Sequence, residues 1–316
     1  MNPLVLPRRT VLMAAAWGVS APLLQACGGG SSSDAAELPN VLEVAQATAE
    51  LSTLVEALAV VGLTGAVAQG TVTVFAPTNA AFAALLEELG ISRQALLSDK
   101  ALLTQVLNYH LLDSRVLRNE IALGKALEPL GGGFFKVEAD SGLRFTDGRG
   151  RSGHITTTDI LARNGVVHLV DRVLLPTDKD VFATAQGLPQ LSVLVQALTA
   201  ADLVSALEQS SAVTLFAPTN AAFATLLAEL GLSQAMLFAD KALLTRVLTY
   251  HLQGKRTLKA DLSVGTTIPT LQGQTFQVGA DLRITDQRGR ICQITDTDVF
   301  AANGAIHMVD RVALPQ

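Results

Sequence analysis

Charged and aromatic side chains are scarce in this 316-residue sequence, at 16% and 4% of the chain, and cysteine occurs only twice. A disordered chain would be rich in charge and poor in aliphatic residues, so the 49% share of hydrophobic residues predicts a folded protein. Two cysteines exclude a disulfide-based scaffold and a zinc site built from several thiolates. The net charge of −5 disfavours nucleic acid as a partner, because neutralising phosphates requires a basic surface.

Long apolar runs are also missing beyond the first thirty residues. The best candidate, residues 57–68, is interrupted by two glycines and a threonine. It is shorter than the stretch of about 20 residues that spans a bilayer. No transmembrane helix is therefore predicted in this part of the chain.

Residues 1–26 have the layout of a secretory signal peptide. Arg8 and Arg9 precede an apolar stretch over residues 11–24. The segment that begins with these arginines resembles the twin-arginine export signature, although an ordinary signal peptide with two basic residues has the same start. Either interpretation predicts export, and residues 1–26 are left out of the fold prediction.

The end of the signal peptide, Leu24-Gln25-Ala26-Cys27, resembles a bacterial lipobox. The resemblance implies cleavage before Cys27 and lipidation of its thiol, and residues 27–37 then form a flexible Gly/Ser tether. By resemblance to Gram-negative lipoproteins, Gly28 implies sorting to the outer membrane. The alternative is a plain secretory signal peptide and a location in the periplasm or on the cell surface.

The rest of the sequence is an internal duplication. Sixteen of 20 positions agree between residues 73–92 and 214–233, 11 of 13 between 99–111 and 240–252, and 9 of 13 between 164–176 and 303–315. The copies lie about 140 residues apart, which is the size of a domain and exceeds that of a solenoid repeat. We therefore predict two tandem domains, over residues 38–176 and 177–316.

Each repeat begins with helical periodicity. Thr78 or Asn79, Ser92 and Asp99 precede apolar runs and are predicted N-caps, because their side-chain oxygens can accept from exposed helix N–H groups. The helix that begins at Thr78 or Asn79 is predicted to stop near Gly90.

The second half of each repeat changes to strand periodicity. Residues 135–140 and 143–146 alternate apolar and polar side chains, which indicates strands with one buried face. Asn164-Gly165 predicts a type I′ hairpin turn, which requires positive φ at both central residues. Helices followed by antiparallel strands indicate the α+β class.

The phrase TVFAPTNAAFAAL, the Tyr-His pair after the next helix and the closing NGVVHLVDRVLLP resemble the conserved blocks of the fasciclin (FAS1) domain family. All three blocks occur twice and in the same order. The resemblance implies two tandem fasciclin-like domains, each a β-sandwich-like wedge with packed helices. It also implies an extracellular or cell-surface module for adhesion or protein interaction, with no shared catalytic activity and no cofactor.

Partner-binding residues follow from the same resemblance. The Tyr-His motif corresponds to Tyr109-His110 and Tyr250-His251. The Asp-Ile element, which the resemblance associates with integrin-type adhesion, corresponds to Asp159-Ile160. In the second repeat this element departs from the pattern, since Asp298 is followed by valine.

Catalytic and metal-binding alternatives rest on weaker patterns. Histidine recurs at His110 and His251 and at His168 and His307, but without the spacing of a metal or catalytic motif. A buried imidazole that donates to a backbone carbonyl is the simpler interpretation, and for the Tyr-His pairs a binding role competes with it. Basic clusters at Arg149, Arg151, Arg288 and Arg290 indicate a solvated loop.

The leading hypothesis is an exported, lipid-anchored, non-enzymatic interaction module. Its expected partners are extracellular or envelope proteins, with membrane attachment through Cys27 and no metal. Two alternatives stay open: an envelope hydrolase with a site at the domain junction, and a module that binds anionic polysaccharide through the arginine clusters. Cys292 has no counterpart in the first repeat and is expected to be buried and inert.

Overall fold

The computed structural model describes residues 37–316, of which Leu38–Gln316 form one compact unit. The predicted signal peptide and Cys27 lie outside the described residues, as does the predicted tether up to residue 36. Among residues 37–316, no single helix is long and apolar enough to cross a bilayer. The pair Val41–Ala47 and Ala49–Val61 reaches that length and composition together but is bent by 106°.

The first repeat forms one mixed sheet with six helices. The helices are α1 (Val41–Ala47), α2 (Ser52–Val61), α3 (Thr64–Gln69), α4 (Asn79–Leu89), α5 (Arg93–Ser98) and α6 (Lys100–Asn108). The strands are β1 (Val72–Pro77), β2 (Leu111–Leu112), β3 (Ala126–Leu127), β4 (Phe135–Ala139), β5 (Leu143–Thr146), β6 (Ser152–Ala162) and β7 (Gly165–Val170). Their order in the sheet is β2-β1-β7-β6-β5-β4-β3. The first and last strands, β1 and β7, pair in parallel, and every other pair is antiparallel.

The second repeat has the same architecture. Its helices are α7 (Val181–Gln186), α8 (Ser192–Ala200), α9 (Val204–Glu208), α10 (Asn220–Leu230), α11 (Gln234–Ala239) and α12 (Lys241–Tyr250). Its strands are β8 (Val213–Pro218), β9 (Leu252–Gln253), β10 (Thr267–Pro269), β11 (Thr275–Val278), β12 (Arg283–Thr285), β13 (Ile291–Ala301) and β14 (Gly304–Val309). They lie in the equivalent order β10-β11-β12-β13-β14-β8-β9. The predicted α+β class and the tandem duplication are confirmed.

The predicted helix caps are confirmed in the first repeat. The side chains of Thr78, Ser92 and Asp99 accept hydrogen bonds from the third helical N–H of α4, α5 and α6. Gly90 ends α4 in the left-handed conformation, with φ of 64°. Asn79 has a different task, because its Oδ1 accepts from the backbone N–H of Thr53 at 2.9 Å and thereby ties the start of α2 to the start of α4.

The paired strands β1 and β7 are buried along their whole length. Since side chains alternate along a strand, Val72, Val74 and Ala76 pack into a core shared with the helices, whereas Phe75 packs into a second core with strands β4 and β5. The sheet thus has apolar cores on both faces, and the same division recurs in the second repeat.

The hairpin between β6 and β7 is present, but the predicted type I′ turn is wrong. Neither Asn164 nor Gly165 has a positive φ. Glycine is required at 165 for a different reason: a Cβ atom there would lie 1.9 Å from the carbonyl oxygen of Val72 on β1. Asn164 accepts from the N–H of Val41 and donates to the carbonyl of Val67, at 2.9 Å each, so it fastens the helices to the hairpin.

Replacing Gly165 by alanine should lower the free energy of unfolding by about 3 kcal/mol, the upper range for overpacking, because the backbone of β1 must move away. Gly65→Ala is the control: Gly65 lies in helix α3, where an added Cβ atom would meet no atom of another segment within 4 Å. Alanine there should be neutral or stabilising by about 0.5–1 kcal/mol. Urea midpoints measure both changes. A Gly165→Ala protein as stable as the Gly65→Ala protein would contradict the close approach of β1 and β7.

Candidate functional site

The Tyr-His pairs, which the family resemblance marks as partner-binding, lie in the protein interior. Tyr109 and Tyr250 are 0% exposed, and His110 and His251 are 1% exposed. The hydroxyl of Tyr109 donates to the carbonyl of Phe134, and that of Tyr250 donates to the carbonyl of Thr275 at 2.8 Å. Each tyrosine therefore fastens the end of a helix to the strand segment that carries its acceptor.

The two paired histidines make the same bonds in both repeats. His110 Nδ1 donates to the carbonyl of Val106 at 2.7 Å, and its Nε2 accepts from the N–H of Leu174 at 3.0 Å. His251 repeats this arrangement. Both imidazoles are thus neutral and donate to a backbone carbonyl, as the simpler interpretation predicted. A partner-binding role for the Tyr-His pairs stays a prediction, and none of the four side chains reaches the surface described here.

Asp159 lies in a bulge of β6 and has an unusual backbone conformation. The pairing of β6 with β7 shifts register between Thr157 and Ile160. Asp159 has a φ of 60° within this shift, a left-handed conformation that aspartate tolerates better than most residues. The same geometry recurs at Asp298, with φ of 59°.

His168 supports the bulge from beneath. Its Nδ1 accepts from the backbone N–H of Asp159 at 3.3 Å, and its Nε2 donates to the carbonyl of Val116 at 2.9 Å. Burial lowers the pKa of His168, which favours the neutral form that can accept and donate at once. One buried imidazole therefore holds Asp159 next to the segment that contains Val116. The predicted donation from a buried imidazole to a backbone carbonyl is confirmed for His168 and for His307. The bond from the Asp159 N–H, which joins distant parts of the sequence, was not predicted.

The Asp159 side chain is exposed and has one backbone partner. Its Oδ1 accepts from the N–H of Arg118 at 2.8 Å. Ile160 is half-buried against the helix-side core, whereas Leu161 keeps 43% of its surface exposed. Of the two apolar residues that follow Asp159, Leu161 is therefore more accessible to a partner than the predicted contact residue Ile160.

Asp298, the counterpart of Asp159, lies at the junction of the two repeats. Its Oδ2 accepts from Lys136 Nζ at 2.8 Å, its Oδ1 accepts from the N–H of Lys259 at 2.7 Å, and only 4% of its side chain is exposed. Burial alone lowers the pKa of Lys136, but the hydrogen bonds to Asp298 and Glu138 raise it above the usual lysine value. Alternation along β4 predicted Lys136 on a solvent face. That face is covered here by the second repeat.

Aromatic and charged contacts complete the junction. The rings of Phe134 and Phe300 lie 4.6 Å apart between centroids. The guanidinium of Arg256 lies 4.4 Å above the ring of Phe134 and pairs with Glu128. Because most of these side chains are buried, the two repeats are joined by a packed interface in addition to the chain between them.

A cleft of about 610 Å³ opens beside this junction. It is lined by Gly148, Arg149, Gly150, Thr177, Asp178, Lys179, Thr184, Asp298, Val299 and Phe300. Of the described residues in this lining, none is histidine, cysteine or serine. Across residues 37–316, no three His, Cys, Asp or Glu side chains are grouped so as to hold a metal ion.

The arginine clusters are tied into buried acids, so the prediction of a solvated loop is wrong for Arg151 and Arg290. Arg151 Nη2 pairs with the fully buried Asp147 at 2.8 Å, and Arg290 Nε pairs with Asp286 at 3.0 Å. Burial alone raises the pKa of Asp286, but the N–H groups and the guanidinium around it lower it below the usual value. These two guanidiniums are therefore committed to internal partners.

Cys292 is fully buried, as predicted. Burial raises the pKa of its thiol to about 12, so little nucleophilic thiolate forms near neutral pH. Its counterpart Gly153 pairs with Phe145, whose ring would lie 2.4 Å from a Cβ atom at position 153. Cys292 instead pairs with Ile284, a side chain that leaves room for the thiol.

Two segments of the chain, residues 49–176 and 189–315, match the family model described as Fasciclin domain. Helices α1 and α7 precede these segments. Their residues Val41 and Val181 nevertheless belong to the helix-side cores of the two repeats. We therefore propose domain limits of 38–176 and 177–316.

Two curated relatives align with both repeats. Transforming growth factor-beta-induced protein ig-h3 of Sus scrofa is 29% identical over 249 residues, which are 78% of this chain and 35% of that protein. Periostin of Homo sapiens is 28% identical over 250 residues, which are 78% of this chain and 29% of that protein. The chain thus spans about a third of the length of these relatives.

A mycobacterial protein and a solved structure are also similar. Immunogenic protein MPB70 of Mycobacterium bovis is 35% identical over 145 residues, which are 43% of this chain and 68% of that protein. The solved structure is that of a FAS1 domain pair from the insect cell adhesion molecule Fasciclin I. The match includes 84% of this chain and 98% of that chain. Its sequence identity is 20% and its TM-score is 0.39.

Acid should destabilise the protein through His110 and His251. Burial lowers the pKa of both imidazoles to about 4, whereas a histidine in an unfolded chain titrates near about 6.5. Between these values the unfolded chain binds more protons than the folded one, so stability is complete above pH ~6.5 and falls as the pH drops towards 4. The expected loss is roughly 3 kcal/mol per histidine.

The variant His110→Gln removes one of these two titrations and keeps a side chain that can donate and accept. Urea midpoints measured in steps from pH 7 to pH 4 should therefore fall less steeply for this variant than for the wild type. Gln94→Ala, at an exposed position of α5, removes no titrating group, serves as control and should keep the wild-type slope. Equal slopes in all three proteins would show that His110 takes no part in the acid response.

Proposed function

The chain belongs to the fasciclin domain family and carries two copies of the domain in tandem, and from this premise we propose that it is a protein-interaction module of the cell envelope or cell surface. The observation that carries the proposal is the exposed Asp159, held at positive φ over a buried histidine. A fixed exposed carboxylate beside an exposed apolar side chain is suited to recognise a protein surface. The expected partners are extracellular or envelope proteins.

Asp159 is proposed as the contact residue of the first domain, with the half-buried Ile160 next to it. Asp298 of the second domain is proposed to act at the domain junction, since its carboxylate already pairs with Lys136. The Tyr109-His110 and Tyr250-His251 pairs are proposed to act from the interior. Through Phe134, the hydroxyl of Tyr109 positions the strand that meets the second domain.

Replacing Asp159 by asparagine should abolish binding and leave folding unchanged. Asparagine tolerates positive φ and can still accept from the N–H of Arg118, so the variant removes the charge and little else. The measurement is capture of identified proteins from envelope and extracellular-matrix extracts, together with the melting temperature. We expect captured proteins to be lost at an unchanged melting temperature.

Asp140→Asn is the matched control, because Asp140 is also exposed but lies in the turn between β4 and β5. It should retain the captured proteins. If Asp159→Asn also retains them, Asp159 is not the contact residue. Retention of polysaccharide alone, or turnover of an ester or glycoside, would favour the alternative functions.

Export and membrane anchoring through Cys27 form the second part of the proposal. The supporting observations are the basic and apolar composition of residues 1–26 and the lipobox-like end of this segment. Cys27→Ala should remove the mass of the lipid and release the protein from the membrane fraction, as measured by mass spectrometry and cell fractionation. Ser33→Ala, a control in the same segment, should change neither. Unchanged mass and membrane association in the Cys27→Ala protein would refute the anchor.

A further inference from the structure

At the junction, the surface of the second domain that carries Asp298 and Phe300 binds a strand segment of the first domain. Lys136 Nζ lies 2.8 Å from Asp298 Oδ2, and the ring of Phe134 packs on the ring of Phe300. Phe134 and Lys136 are two residues apart on one strand segment, so both side chains leave the first domain on the same face. An acid beside an apolar side chain here binds a strand that presents an aromatic residue and a lysine.

The first domain has an equivalent surface of its own. Five positions of the first domain correspond to the positions that form this side in the second domain. The corresponding pairs are Asp159 and Asp298, Leu161 and Phe300, Leu117 and Leu258, Arg115 and Arg256, and Glu120 and Asp261. We call these five residues of the first domain the open face. The side-chain chemistry is the same at each of the five positions, because an acid corresponds to an acid, an apolar residue to an apolar residue and arginine to arginine. Asp159, Arg115 and Glu120 are exposed, and Leu161 is 43% exposed.

The described part of the chain does not fill the open face. Within residues 37–316, no lysine or arginine side chain pairs with Asp159. The strand equivalent to β4 in the second domain is β11, where Thr275 and Gln277 replace Phe134 and Lys136. A second copy of this chain therefore lacks the matching pair on β11, and its own Phe134 and Lys136 are buried at its junction.

We propose that the open face binds a β-hairpin of another protein, which presents an aromatic side chain and a lysine two residues apart on one face. This rests on the proposed function and specifies the chemistry of the partner. The lysine takes the position of Lys136 opposite Asp159, and the aromatic ring packs on Leu161. A domain of the same fold is the expected source, because β3 and β4 of the first domain form such a hairpin at the junction. Glu128, which lies between these two strands, pairs with Arg256 of the second domain.

A designed pair of full-length proteins tests the proposal. The wild type acts as receptor. The ligand is the same chain with Thr275→Phe and Gln277→Lys, which build the missing pair on β11, and with Asp159→Asn, which prevents the ligand from binding itself. Sedimentation velocity on mixtures should show a 1:1 complex. Because the contact includes an ion pair at the surface of the receptor, affinity should also fall as salt rises.

Matched controls assign the binding to the proposed contacts. A ligand with Asp159→Asn alone should form no complex, and a receptor with Asp159→Asn should bind at least tenfold more weakly. Circular dichroism melting temperatures verify that each variant is folded. If the ring at position 275 disturbs β11, the ligand with Asp159→Asn and only Gln277→Lys, at an exposed position, should still show weaker binding that depends on receptor Asp159.

Three outcomes would overturn the proposal. They are a folded ligand that forms no complex with the wild type, a complex that is insensitive to Asp159, and self-association of the wild type through Asp159, which would make a second copy the occupant. Each is distinguishable from failure of the proposed function. Capture of matrix or envelope proteins that depends on Asp159 would survive the first two results, and then only the hairpin chemistry would be wrong.

Discussion

The parallel pairing of the first and last strands is the contact on which each domain depends. Val72 on β1 pairs with Gly165 on β7, and the chain between them contains the other five strands of the sheet. The two backbones approach so closely that a Cβ atom at residue 165 has no room. Because both faces of these strands are buried, their side chains enter both cores at once. Loss of this pairing would therefore separate the helices from the rest of the sheet.

The same pair of strands determines where the candidate surface lies. His168 projects from β7 and reaches two segments, since it accepts from Asp159 on β6 and donates to Val116 in the connection after β2. A neutral imidazole can do both, and burial keeps it neutral. Asp159 in the bulge therefore lies beside the segment that contains Arg115 and Leu117, because His168 bonds to both. The exposed face depends on an interior contact.

Local patterns predicted the elements of this fold, whereas contacts between distant segments could not be predicted from them. Ser92 and Asp99 cap helices because capping depends on residues three positions away. Lys136 alternates correctly with its apolar neighbours, but alternation cannot tell a face covered by solvent from one covered by a second domain. Asn164-Gly165 marks a hairpin, yet its glycine is required by a strand more than 90 residues earlier. The Tyr-His motif identifies the family, and only the packing shows that its side chains are internal.

The two sides of the junction carry different chemistry, and the exposed residues that form each side differ between the two related domains. When two equivalent domains meet through different surfaces, the first domain leaves one type of surface uncovered and the second domain leaves the other type uncovered. If these two uncovered surfaces were complementary, separate copies of the chain could assemble head to tail into an open polymer. Here the first domain keeps the acid and apolar side as Asp159 and Leu161. The second domain has Thr275 and Gln277 in place of the aromatic residue and the lysine. Within residues 37–316, the proposed surface for a different protein is therefore present, whereas the aromatic residue and the lysine of the junction are missing from β11.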